Sequence, residues 1–140
     1  MELTSKEKGN LTELQCMTEF YKAGYRVSIP YGENSRYDMI LDANSHLLRV
    51  QCKTSKAVSD DCFSFACRST RVNSQGSYSS KYTKDEIDYF STFYKGKCYL
   101  VPVEECSIEK TLRIVPPKSG RLQGVTFLEN QELSEVLKSL

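Results

Sequence analysis

The chain opens with apolar positions at helical spacing. Leu11, Leu14, Cys16, Met17, Phe20, Tyr21 and Ala23 recur along a helical face until Gly24, a natural C-terminal stop. Ahead of them Thr4-Ser5-Lys6-Glu7 has the S/T-x-x-E spacing of a capping box, so a helix is predicted from Thr4 to Ala23. The pattern then changes. Val27 to Tyr31 reads as a short strand closed by Pro30, and Gly32-Glu33-Asn34-Ser35 as a loop. Tyr37 to Ala43 and Leu47 to Ser55 make a hairpin about Asn44-Ser45-His46, and Cys62 to Cys67 alternates as a further strand. Residues 68–82 are rich in Ser, Asn, Gly and Tyr and read as a long exposed loop. A second capping box, Thr83-Lys84-Asp85-Glu86, predicts a helix through Ile87, Tyr89, Phe90 and Phe93 to Gly96, with Asp85 and Asp88 as capping and solvating acids. Lys97 to Val103 is a strand whose Tyr99-Leu100-Val101 run suits a central position, and Leu112 to Val115 is a strand ended by Pro116-Pro117. Glu132 to Leu140 is a last helix with Leu133, Val136, Leu137 and Leu140 on one face. This order implies an α/β fold, a mixed central β-sheet flanked by helices.

Length and composition bound the class. At 140 residues, 39% hydrophobic and 26% charged, the chain fits one globular domain over 1–140, with a basic loop at 68–84 and a C-terminal helix at 130–140. No apolar run approaches the roughly 18 residues of a membrane span. The polar N-terminus has no secretion-signal pattern, so the cytoplasm is the expected compartment. Net charge is only +1, yet Arg68, Arg71, Lys81 and Lys84 stand in a stretch without acids, as do Lys110, Arg113, Lys118 and Arg121. The global balance hides local basic segments. None of the six cysteines forms C-x-x-C, which leaves a zinc ribbon or redox motif unsupported, and they read as small buried apolar residues. His46 is the only histidine and falls in a turn, so hydrolytic chemistry has to come from carboxylates, a lysine and a metal.

Residues two apart on a strand share a face, so Gln51 and Lys53 point one way while Val50 and Cys52 point the other. A two-residue turn at Asn44-Ser45 would pair Asp38 with Gln51 and bring a carboxylate, a carboxamide and an ammonium together. That trio suits phosphodiester hydrolysis. Mg²⁺ takes hard oxygen ligands, which Asp38 and the Gln51 amide or the Cys52 carbonyl can supply. An ammonium at Lys53 can orient the attacking water and offset charge building on the phosphate. Glu13 is the candidate second carboxylate, because its helical neighbours Gly9, Asn10, Cys16 and Met17 offer it no charged partner. Asp42 abuts the turn and suits a structural role.

Glu13, Asp38 and Gln51-Cys52-Lys53, in that order, resemble the PD-(D/E)XK, or restriction-endonuclease-like, nuclease core. Within it the chain resembles the group I intron homing endonucleases of this fold, a likeness carried also by Tyr82 to Phe90, Lys97 to Val103 and Thr111 to Lys118. The sequence departs at Tyr37, where the family has Pro, and at Gln51, where it has an acid. The resemblance implies a metal-dependent, site-specific double-strand DNA endonuclease using Mg²⁺, with Mn²⁺ as the substitute. It also implies a homo-oligomer, a dimer or a tetramer, for which the apolar C-terminal helix offers an interface. The neutral Gln51 favours one metal per site, or one strong and one weak, over two tight ones. A Holliday-junction resolvase of the same fold and a catalytically silent DNA-binding relative are the alternatives.

DNA contact is expected from the basic segment. Arg68, Arg71, Lys81 and Lys84 would neutralise phosphates, while Asn73, Gln75 and Tyr78 interleave groups able to read or stack on bases. Arg36, beside the strand of Asp38, is a further expected phosphate contact.

Overall fold

In the computed structural model, which describes residues 2–32 and 34–140 apart from the side chains of 71–73, helix α1 (Ser5–Lys22) starts where the capping box predicts. The Glu7 amide donates to the Thr4 hydroxyl at 3.2 Å, and the Thr4 amide to the Glu7 carboxylate at 2.9 Å. One residue per turn (Thr12, Cys16 and Phe20) is buried. Strand β1 (Arg26–Ser28) pairs antiparallel with β2 (Met39–Ala43), which turns through Asn44 and Ser45 into β3 (His46–Cys52). Both turn residues have positive φ, 51° and 70°, the two-residue geometry that matches the twist of the flanking strands. This turn sets the predicted register, from Ala43 opposite His46 to Met39 opposite Val50.

The chain then leaves the sheet through β4 (Lys56–Ser59), β5 (Cys62–Ala66), β6 (Arg68–Asn73) and β7 (Gly76–Lys81). It returns as β8 (Tyr89–Tyr94), parallel to β3 with Tyr89 opposite Val50, and β9 (Lys97–Pro102) completes the order β1-β2-β3-β8-β9. β10 (Glu109–Arg113) joins β5 and β4 in a three-stranded sheet, and β6 and β7 form a separate hairpin. A 3-10 turn at Leu128–Gln131 leads into α2 (Leu133–Leu137).

Two apolar layers result. Cys16, Phe20, Met39, Leu41, Val50, Leu100, Leu133 and Leu137 fill the space between the helices and one face of the main sheet. Phe63, Phe65, Tyr82, Ile87, Phe90, Val101 and Leu112 fill the other face, under β5 and β10. The β3–β8 crossover thus carries the second sheet and the hairpin to the side of the main sheet away from α1.

Several expectations change. The helix predicted from Thr83 to Gly96 is a turn followed by β8. The capping contact forms, with the Thr83 amide donating to Glu86 at 3.0 Å, but no helix follows. Tyr89, Phe90, Thr92, Phe93 and Tyr94 are aromatic or β-branched and suit a pleated surface between two layers. Asp88 is accordingly no helix residue. Its carboxylate accepts from the Arg49 amide at 2.8 Å and pairs with the Arg49 guanidinium at 3.1 Å, fastening the start of β8 to β3.

The long loop at 68–82 is the β6–β7 hairpin, turning at Ser74-Gln75. Every β7 residue is exposed, so no apolar alternation could reveal it. β9 lies at one end of the sheet rather than centrally. It is apolar because Cys98 and Leu100 face one core layer and Tyr99 and Val101 the other. The β1 strand ends at Ser28, short of Tyr31. The C-terminal helix spans only 133–137, and Leu133 and Leu137 are buried in the chain's own core. The apolar face offered as a subunit interface is largely consumed within the chain.

Candidate active site

Asp38 lies one residue before β2, where the ladder departs from strict pairing. Its amide donates to the Val50 carbonyl at 2.8 Å, so Asp38 is not the straightforward partner of Gln51 that the register alone predicts. Its carboxylate accepts from the Cys52 amide at 2.8 Å, which ties the acid to the end of β3. Glu13 approaches from α1. Thr12 seats that turn of the helix, with its hydroxyl 3.1 Å from the hydroxyl of Thr54, just beyond Lys53. The Glu13 and Asp38 carboxyls are close enough to act on each other's proton affinity. Burial, then the neighbouring Asp38 carboxyl, pushes Glu13 up to about 7. Burial also raises Asp38, although the Cys52 amide, Glu13 and Lys53 oppose it. Two carboxyls crowded together in partial burial form a site with a standing preference for positive charge.

Lys53 supplies the cation on the other side. Its backbone amide donates to the Ser91 carbonyl at 2.8 Å, which anchors the residue beyond the end of β3. Its ammonium donates to the Arg68 carbonyl at 3.1 Å and lies 5.1 Å from the centroid of the Tyr82 ring. Burial holds Lys53 below the usual lysine range, against the pull of Asp38. Glu13, Asp38 and Lys53 therefore converge from α1 and the β2–β3 hairpin. Gln51 sits on β3 opposite Phe90, half-buried, and its side chain makes no hydrogen bond among the described residues. Among those residues no third carboxylate, thiol or imidazole completes a metal-binding cluster. A cation between Glu13 and Asp38 would draw its remaining ligands from the Gln51 amide, the Cys52 carbonyl, water and substrate.

The basic residues divide. Arg68 starts β6 opposite Lys81 at the base of the hairpin, and its Nε is buried with no hydrogen-bond partner among the described residues. Tyr78 is exposed on β7 opposite Arg71, while Gln75 sits in the turn beside the Asn73–Gly76 pair. The side chains of Arg71 and Asn73 lie outside the described residues. Arg36 and Lys84 have protein partners instead. The Arg36 guanidinium is spread over Ser80, Lys81, Glu86 and the Tyr82 ring, and the Lys84 ammonium lies 3.9 Å from Glu104. Tyr82, which the sequence interleaves with the bases of this segment, is buried instead, with the Arg36 guanidinium and the Lys53 ammonium near its ring. The six cysteines are all free and buried, and His46 is exposed at the β2–β3 turn, as expected.

A helix glutamate, an aspartate at the start of one strand and a lysine just past the next, set on a mixed sheet, define a nuclease core. The family model for PD-(D/E)XK endonuclease matches residues 3–133, and the chain belongs to that family. Among solved structures it is similar to that of a bacterial homing endonuclease, I-Ssp6803I, with a TM-score of 0.74 at 21% identity, covering 98% of this chain and 95% of that one. No curated protein matches it. No helix of the described residues is long and apolar enough to cross a membrane.

Proposed function

We propose that the chain is a divalent-metal-dependent endonuclease that cuts both strands of duplex DNA at a specific site. The observation that carries this reading is the pair of carboxyls, Glu13 and Asp38, pressed together beside Lys53. Its donor set fits a hard cation such as Mg²⁺, with Mn²⁺ as the substitute. Asp38 and Glu13 would hold it, with the Gln51 amide and the Cys52 carbonyl completing the protein ligands. The bound cation would supply charge for the scissile phosphate and acidify water.

This chain's own residues do the rest. Lys53 holds the attacking water by its ammonium and offsets charge building on the phosphate. Its partial burial strengthens that interaction, because fewer water molecules screen it. Arg68, whose carbonyl accepts from the Lys53 ammonium, would offer its guanidinium to a phosphate oxygen. The β6–β7 hairpin is of a size to enter the major groove as a two-stranded ribbon, bringing Arg71, Asn73, Gln75, Tyr78 and Lys81 toward backbone and base edges. One chain offers one such centre, so cutting both strands calls for a homo-oligomer, a dimer or a tetramer.

Asp38→Ala tests the centre. It removes an anionic ligand without touching the hairpin, so it should abolish Mg²⁺-dependent cleavage of a duplex library while DNA binding in Ca²⁺ stays within about threefold, as expected if phosphate contacts dominate affinity. Unchanged cleavage by the variant would overturn the assignment.

A further inference from the structure

Arg36 has the chemistry of a phosphate contact but the surroundings of a clamp. Its Nη1 donates to the Ser80 hydroxyl and its Nη2 to the Lys81 carbonyl, both at 3.0 Å. Nε lies 3.0 Å from a Glu86 carboxylate oxygen, and the guanidinium carbon lies 3.9 Å above the Tyr82 ring. Four partners surround one planar group. Only a guanidinium can make this set, since a lysine ammonium has neither the fork nor the flat face.

Those partners connect distant parts of the fold. Ser80 and Lys81 end β7, at the base of the hairpin. Glu86 belongs to the turn before β8, where its other oxygen accepts from the Thr83 amide and hydroxyl at 3.0 and 3.2 Å. Tyr82 is buried, edge-on to Phe90 at 5.3 Å, and Phe90 lies beside Gln51 in the sheet. Tyr82 also lies under Lys53, whose ammonium reaches the first residue of β6. The hairpin base is therefore held on both strands: β7 by Arg36 and β6 by Lys53.

We propose that Arg36 is a positioning residue, clamping the β6–β7 hairpin to the 83–86 turn and, through Tyr82, fixing Lys53 at the reactive centre. This rests on the endonuclease reading and adds to it. A hairpin seated correctly on its DNA sequence would keep Lys53 in place, whereas one displaced by a mismatched site would draw the Arg68 carbonyl and Tyr82 away from the ammonium. Sequence readout and cleavage would share one mechanical joint.

The test sets Glu86→Ala against Arg36→Lys and the double variant, with thermal denaturation to check folding. Deuterium exchange of the 76–81 amides, DNA binding in Ca²⁺ and single-turnover cleavage in Mg²⁺ are measured for each. If Arg36 is a clamp, each single variant raises exchange in 76–81 and slows cleavage about 10- to 100-fold, the scale on which misplacing a reacting group acts. Binding changes less than the rate, discrimination against single mismatches falls, and the double variant is no slower than the worse single one. If Arg36 is a phosphate contact only, removing the Glu86 charge tightens binding, leaves rate and exchange unchanged, and overturns the proposal. The exchange and binding arms need no catalysis. A wild-type protein that never cleaves would refute the endonuclease reading, and unchanged exchange in 76–81 would refute the clamp.

Discussion

Gln51 is the position at which a neutral amide stands where the family carries an acid. An amide oxygen binds Mg²⁺ more weakly than a carboxylate, so Gln51→Glu adds a charged ligand at nearly constant volume. The variant should reach half-maximal single-turnover rate at a lower Mg²⁺ concentration. Its maximal rate should fall if the new carboxylate pairs with Lys53. Gln51→Leu should impair cleavage more than folding. Identical Mg²⁺ titrations for all three proteins would place Gln51 outside the coordination shell. Glu13 makes a separate prediction through its proton. Its folded value of about 7 lies above the ordinary 4.5, so the folded state keeps a proton that the unfolded chain releases. The metal-free protein should therefore lose stability as pH rises from 4.5 to about 7. Glu13→Gln should flatten that slope in melting temperatures recorded with a chelator present. A wild-type slope identical to that of the variant would show that Glu13 carries no such shift.

At the scale of elements, the hairpin is the part whose function and stability are most separable. It is a two-stranded ribbon, and β7 is wholly exposed, so substitutions along it leave the core layers intact. Arg68→Ala or Arg71→Ala should weaken DNA binding and reduce the slope of log affinity against log salt by about one unit if each side chain releases one counterion. A loss confined to one DNA sequence, with the salt slope unchanged, would instead mark base reading. The start of β8 behaves differently. Burial works against the Asp88 charge, but the Arg49 hydrogen bonds and charge outweigh it and hold Asp88 below the usual range. The β3–β8 junction is thus partly electrostatic, where the strands run parallel.

For the whole molecule, the consequence of one centre per chain is kinetic. Sedimentation should find at least a dimer at concentrations where duplex is cut, and the double-strand cleavage rate should fall steeply on dilution below the dissociation constant of the oligomer. A protein that stays monomeric while cutting both strands in one binding event would refute the oligomeric reading. Leu133 and Leu137 of the C-terminal apolar stripe already pack against the chain's own sheet, so they are not free for that contact surface.

What the sequence by itself determined was local. Thr4 and Glu7 satisfy each other within one turn, Asn44-Ser45 admits the positive φ of a two-residue turn, and that turn fixes which residues of β2 and β3 face each other. From this follow the order and spacing of Glu13, Asp38 and Lys53, and hence the family. Tertiary structure decided everything that depends on a distant partner. Thr83 to Gly96 carries a valid helix cap, yet β3 on one side, β9 on the other and apolar layers above and below make a strand of it. The Ser-rich 68–82 segment has no apolar period to announce a hairpin, because neither backbone pairing nor exposed side chains leave a trace in hydrophobicity. Arg36 reads as one more basic residue until the fold brings Ser80, Lys81, Tyr82 and Glu86 around it. A guanidinium's role is set by what reaches it, and all four partners lie more than forty residues further along the chain.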